Sequence, residues 1–173
     1  MIKFDILKLM LYLAGITIML RLIMIKINQY KLIGYIASIG FILNFAWEMF
    51  QMPFYVNYKT FADHIVCIPA SLGDVVLVLG IYTVVSYVRN DWYWIRNIEK
   101  RTITLTILLG ALIAIIMEQR ALMLGLWSYT PNMPITPLFK VGLLPVLQML
   151  ILPLLTYLLT NKIIYKKLEE IPK

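Results

Sequence analysis

The sequence predicts an all-α protein, a polytopic transmembrane helix bundle of about five spans. Of its 173 residues, 61% are hydrophobic, and the mean hydropathy is +0.82. Only 14% are charged, against roughly 25% in an ordinary soluble domain. A soluble chain of this size has too small an interior to hide that much apolar surface, whereas in a bilayer the surplus faces lipid. Apolar stretches also recur at about the 20 residues needed to cross the hydrocarbon layer. No Gly/Ser/Pro-rich linker or charge block divides residues 1–173, so a single integral membrane domain is expected, multi-pass in the cell membrane.

Five segments fit as spans, at about 5–25, 32–56, 64–88, 102–126 and 137–160. In the first, an apolar stretch follows Lys3 and Lys8, but no small-residue cleavage site comes after it, and it runs on into Arg21 and Lys26. It is therefore read as a retained helix rather than a signal peptide. Its unbroken apolar stretch, Leu9 to Leu20, is short and needs Lys8 and Arg21 to snorkel to opposite interfaces.

The second segment carries Asn44, Glu48, Gln51 and Tyr55 at spacings of 4, 3 and 4, which places them on one helical stripe beside Trp47. The third carries His64, Cys67, Ser71 and Asp74 at 3, 4 and 3, again one stripe, with Gly73 next to the acid. In the fourth, Ala111, Ala114, Glu118, Ala121 and Gly125 recur at 3, 4, 3 and 4. Small residues flanking an acid are the mark of a tightly packed face, so Glu118 is expected to point inward. The fifth offers Pro145 and Gln148 three apart, with Gln148 the inward polar candidate.

Basic residues set the orientation. With the N-terminus outside, the inner side holds Arg21, Lys26, Lys31, Arg89, Arg96, Lys100, Arg101, Lys162, Lys166, Lys167 and Lys173. The outer side holds Lys3, Lys8, Lys59, Arg120 and Lys140. This asymmetry predicts N-out, C-in, and it accounts for the net charge of +7 without a nucleic-acid partner. Trp92, Tyr93 and Trp94 then suit the inner interface, and Trp127 and Tyr129 the outer one. The stretch from Trp127 to Pro137 contains three prolines and no charge, which predicts a stiff extended loop, either a lid over the bundle or a rigid connector.

An ionisable residue inside a span costs about 2.5–3.5 kcal/mol on insertion scales. Glu48, Asp74 and Glu118 are three such acids, and their depths agree with a polar pocket in the outer half of the bundle. Each alone has a structural alternative, as a hydrogen-bonding group between helices. Together they suggest catalysis by carboxylates, with Asn44, Trp47, Gln51, His64, Trp127, Tyr129 and Gln148 binding substrate. A carboxyl kept neutral by its surroundings delivers a proton and an ionised one receives it, while aromatic faces stabilise a cationic intermediate. This suits isomerisation, hydration or cyclisation of a lipid or isoprenoid alkene reaching the pocket from the bilayer. No cofactor is implied.

Asn44-Phe45-Ala46-Trp47-Glu48 resembles the N-x-x-W-E segment of the integral-membrane terpene cyclases, which implies a proton-transfer role for Glu48. The run Glu118, Gly125-x-Trp127-x-Tyr129-Thr130, Met133-Pro134, Pro137 and Gly142 is similar to carotenoid hydratase-type membrane proteins, which add water across a terminal double bond. The chain is shorter than members of either family. Trp47-Glu48-x-x-Gln51-x-Pro53, His64-x-x-Cys67, Gly73-Asp74, Glu118, Gly125-x-Trp127-x-Tyr129 and Gly142-Leu143-x-Pro145-x-x-Gln148 together resemble a widespread group of small bacterial membrane proteins. This last resemblance bears on the choice of residues more than on the activity.

Two other classes compete. A metal-dependent membrane hydrolase would use His64, Glu48, Asp74 and Glu118 as ligands, but there is one histidine and no H-E-x-x-H. The other class is a non-enzymatic lipid-binding, transport or assembly protein; for transport, five spans are few for alternating access, and a homo-oligomer would compensate. The single cysteine, Cys67, excludes an internal disulfide and reads as a packing residue.

Overall fold

The computed structural model describes residues 27–56 and 65–166. Four long helices account for most of them: α1 (Ile27–Gln51), α2 (Cys67–Arg89), α3 (Lys100–Met123) and α4 (Leu143–Asn161). A 3₁₀ turn, Met52–Phe54, extends α1, another, Trp94–Arg96, precedes α3, and a π-helical turn, Lys162–Lys166, extends α4. Among the described residues, four helices are by length and composition able to cross a membrane: Gln29–Phe54, Cys67–Arg89, Lys100–Met123 and Leu143–Ile164. The expected first span and His64 lie outside the described residues. The fifth expected span starts later than its predicted residue 137, because residues 137–142 form a turn closed by Thr136 N–H donating to Val141 O at 2.8 Å.

The helices run antiparallel in sequence order. The ends of α1 and α3 meet the starts of α2 and α4, as the hydrogen bonds of Gln148 to Glu48 and Asp74 require. At the other end, Asn161 Nδ2 at the close of α4 donates to Ile95 O at 2.6 Å, in the connection between α2 and α3. Packing is closest between α1 and α2, α3 and α4, and α1 and α4, and sparser between the neighbours α2 and α3.

The sequence explains these contacts. Buried residues of α3 follow one line, Thr102, Thr106, Gly110, Ala114, Glu118 and Ala121, and small side chains there let α4 approach closely. The closest approach is at Gly110, where a Cβ would lie 2.0 Å from Met149 O. The sequence stripe through Ala111 is therefore rotated by one residue at that level: Ala111 is half-buried and Gly110 makes the contact.

In the aromatic cluster expected at the inner interface, one indole turns inward instead. Trp94 is 2% exposed and belongs to the core. Its ring lies 5.2 Å from Tyr157, edge-on, and 6.0 Å from Tyr82, stacked, and its Nε1 donates to Ser86 Oγ at 3.1 Å. The 3₁₀ turn folds the indole under the bundle, and the Ser86 hydroxyl satisfies the N–H that would otherwise need water. Trp92 and Tyr93 remain half-buried.

Helix ends are fixed locally. Asn90 takes the left-handed conformation after α2, with φ 50°. Arg89 and Glu99 pair at 2.6 Å across the short connection. Gly125, with φ 65°, ends α3: its N–H donates to Leu122 O at 3.1 Å and Leu126 N–H to Ala121 O at 3.0 Å, the paired bonds of a Schellman turn. That reversal sends the following loop back over the end of α3.

Candidate functional site

The end of the bundle where α1 and α3 finish holds a cavity of about 340 Å³. Its lining includes Glu48, Gln51, Met52 and Tyr55 from the end of α1, and Cys67, Gly73, Asp74 and Leu77 from α2. Ala114, Met117 and Glu118 of α3, Trp127 of the loop, and Pro145, Gln148 and Met149 of α4 complete most of it. Carboxyls from three different helices thus open on one mainly apolar space.

The amide of Gln148 organises one side. Its Nε2 donates toward Asp74 Oδ2 at 2.8 Å, and toward Glu48 Oε1 and Asn44 Oδ1 at 3.0 Å each. Two N–H bonds serve three acceptors, so one is shared. Its Oε1 accepts from Gln51 Nε2 at 3.0 Å, and the same nitrogen donates to Glu48 Oε1 at 2.8 Å. Trp47 Nε1 in turn donates to Gln51 Oε1 at 3.2 Å, and Asn44 Nδ2 to Gly40 O at 2.8 Å. Glu48 and Asp74 thus accept from the same Gln148 nitrogen and lie side by side. The i, i+3 and i+4 spacings of α1 put Asn44, Glu48 and Gln51 on the face that meets α4.

Glu118 faces this pair within electrostatic reach. Its Oε2 accepts from Trp127 Nε1 at 3.3 Å and from the Tyr129 hydroxyl. Tyr129 is held in turn by Gly142 N–H, which donates to its hydroxyl oxygen at 3.0 Å. A Cβ at Gly142 would lie 3.1 Å from the Tyr129 ring, so the residue's small size brings α4's start against the phenol. Burial, and then the bond to Glu118, push the Tyr129 phenol above its ordinary range, so it remains a donor. Arg120 is exposed, and the Glu118 carboxylate is met by the loop aromatics.

The loop of residues 124–142 crosses the site end. Thr130 N–H donates to Phe54 O and Val56 N–H to Ser128 O, each at 2.9 Å, around a bridge between Tyr55 and Tyr129. It is thus fastened to the end of α1 while two of its aromatics reach Glu118. The sequence assigns both to the outer interface and to the substrate pocket. The Gly125 reversal brings their N–H and O–H donors to Glu118, a contact that the glycine after a helical run signals in the sequence.

Of the expected site residues, Glu48, Asp74, Glu118, Gln51, Trp127 and Gln148 line the cavity. Asn44, Trp47 and Tyr129 stand behind it, bonded to residues that do. His64 lies outside the described residues. Cys67, read from sequence as packing, is buried and on the cavity wall, and Met149 and Leu77 carried no polar signal that would have singled them out. Among the described residues no group of three or more His, Cys, Asp or Glu side chains is arranged to hold a metal ion. Comparison with protein-family models, with curated proteins and with solved structures returns no match.

Proposed function

We propose that the chain is an intramembrane enzyme that moves protons on an apolar alkene of lipid or isoprenoid type. One observation carries this reading: three carboxyls with two different sets of partners share a single apolar cavity. The Glu48–Asp74 pair, tied by two amides, supplies the proton. The alkene's π electrons take it, leaving a cation on the neighbouring carbon, against which Trp127 and Tyr55 present aromatic surface. Glu118, with Tyr129 and Trp127 as donors, removes a proton from an adjacent carbon, and that C–H pair becomes the new double bond. Isomerisation is the outcome when no water intervenes, and hydration when water captures the cation. General acid–base catalysis of this kind contributes about 10²–10⁴-fold.

The basic residues support an orientation in the cell membrane. Among the described residues, Arg120 and Lys140 lie at the site end. Lys31, Arg89, Arg96, Lys100, Arg101, Lys162 and Lys166 lie at the other. The site end therefore faces outward, under the rule that cytoplasmic flanks carry the positive excess.

The test uses solvent isotope. Membranes bearing the protein are incubated in D₂O, and their lipid extracts are compared with those of membranes bearing Glu48→Gln. Wild-type membranes should yield a product with deuterium bound to carbon, missing in the variant. Identical extracts would remove the enzymatic reading and leave a lipid-binding role.

A further inference from the structure

We infer that the cavity opens sideways, through a gap between α2 and α3, and admits the end of one hydrocarbon chain directly from the bilayer. The inference rests on the proposed alkene chemistry for its substrate class, and on independent geometry for the route. α2 and α3 are the least closely packed of the neighbouring helix pairs. Several residues line the cavity and are also exposed on the outer surface: Val66, Pro69 and Gly73 on the α2 side, and Met117 on α3. Lining residues on α1 and α4 are buried or half-buried. Among the described residues, a Cβ at Gly73 would meet nothing within 4 Å, so the threshold beside Asp74 has room.

The surroundings of the gap fit an apolar visitor. The outer surfaces of both helices are apolar, with Ile68, Leu72 and Val76 exposed on α2 and Leu112 and Ile116 on α3. A chain sliding from lipid through such a gap keeps apolar contacts throughout, and no polar headgroup has to be desolvated to reach the carboxyls. The cavity, about 340 Å³, lies at the lower end of the roughly 300–1,000 Å³ typical of ligand sites. That suits a chain end and not a whole lipid. The reacting double bond is accordingly at or near the terminus of the chain.

Photolabelling tests the route without requiring turnover. The full chain is placed in phospholipid nanodiscs containing hexadecanol with a diazirine at its far end, irradiated, and mapped by peptide mass spectrometry. Met149 is only 4% exposed, so it is reached only through the cavity, whereas Val76 is 67% exposed and reports ordinary lipid contact. Wild-type protein should be labelled at both. Gly73→Trp fills the threshold and should lower labelling at Met149 by about tenfold or more, a barrier of about 1.4 kcal/mol, with Val76 unchanged. Gly80→Trp makes the same change on the same helix, at a site with equal room that does not line the cavity, and should leave both labels intact.

Labelling of Val76 alone in the wild type would overturn the inference, as would Met149 labelling indifferent to Gly73→Trp. Labelled Met149 with no deuterated product in the solvent-isotope test would keep the portal and remove the enzyme. Deuterated product without labelled Met149 would do the reverse.

Discussion

Gln148 Nε2 lies 2.8 Å from Asp74 Oδ2, joining the start of α4 to the start of α2 across the cavity. The same nitrogen reaches α1, so one side chain fixes the relative positions of three helices at the site.

Replacing this amide should therefore loosen the site before anything else. Gln148→Leu leaves Asp74, Asn44 and Gln51 short of a partner in a buried setting, where each orphaned group costs about 1–3 kcal/mol. Measured membrane-protein hydrogen bonds average about 0.6 kcal/mol, so a total loss near the low end, about 1–3 kcal/mol, is expected. Thermal unfolding in detergent checks it. A variant as stable as wild type would show that the network carries no structural weight.

Gly110→Leu should be among the most damaging changes in the bundle. Its Cβ would lie 2.0 Å from the Met149 carbonyl oxygen, a backbone atom that cannot swing away. Overpacking usually costs about 1–3 kcal/mol, and here the helices themselves must separate. Gly34→Ala, where a Cβ meets nothing within 4 Å among the described residues, should instead be neutral or stabilising by up to about 1 kcal/mol through helix propensity. Equal melting temperatures for the two variants would contradict the packing described.

Trp94→Ala should cost about 3–5 kcal/mol, the loss expected for a large aromatic removed from a core. Trp92→Ala should cost less, since Trp92 is only half-buried. Chemical unfolding of both in the same detergent decides between a core and an interfacial role for the Trp94 indole.

The Tyr129 phenol gives a dependence at high pH. Its value in the folded protein is raised, by burial first and by the Glu118 bond second, over the ordinary value of about 10. The unfolded chain thus gives up the proton first as pH rises. The contribution of this group to stability is complete below about pH 10 and is lost as pH climbs toward the folded value. Tyr129→Phe should flatten the decline in stability above about pH 10. Parallel declines in variant and wild type would contradict the burial of this phenol.

Helical spacing made much of the site legible. Asn44, Glu48 and Gln51 fall on one face because the α-helical period puts them there, and Gln148 is an amide set in the apolar run of α4, far from the terminal Asn161. Spacing reports which residues share a face, but not the rotation of that face against its neighbour. The close contact consequently fell to Gly110 and not to Ala111. Loop contacts were less accessible still. The bond from Tyr129 to Glu118 depends on the reversal at Gly125 and on pairing with Tyr55, a residue far away in the sequence. Trp94 reads as an interface anchor by type and position, and only the 3₁₀ turn that carries it inward makes it a core residue.

The most direct measurement is a lipid and isoprenoid profile of cells carrying wild-type protein, Glu48→Gln, Asp74→Asn or Glu118→Gln at matched abundance. Each substitution keeps the side chain's size and much of its hydrogen bonding while removing the exchangeable acid. All three should lose the same apolar product and accumulate the same precursor, because the three groups act on one substrate. Three profiles identical to wild type, from folded protein, would contradict a shared proton-transfer site.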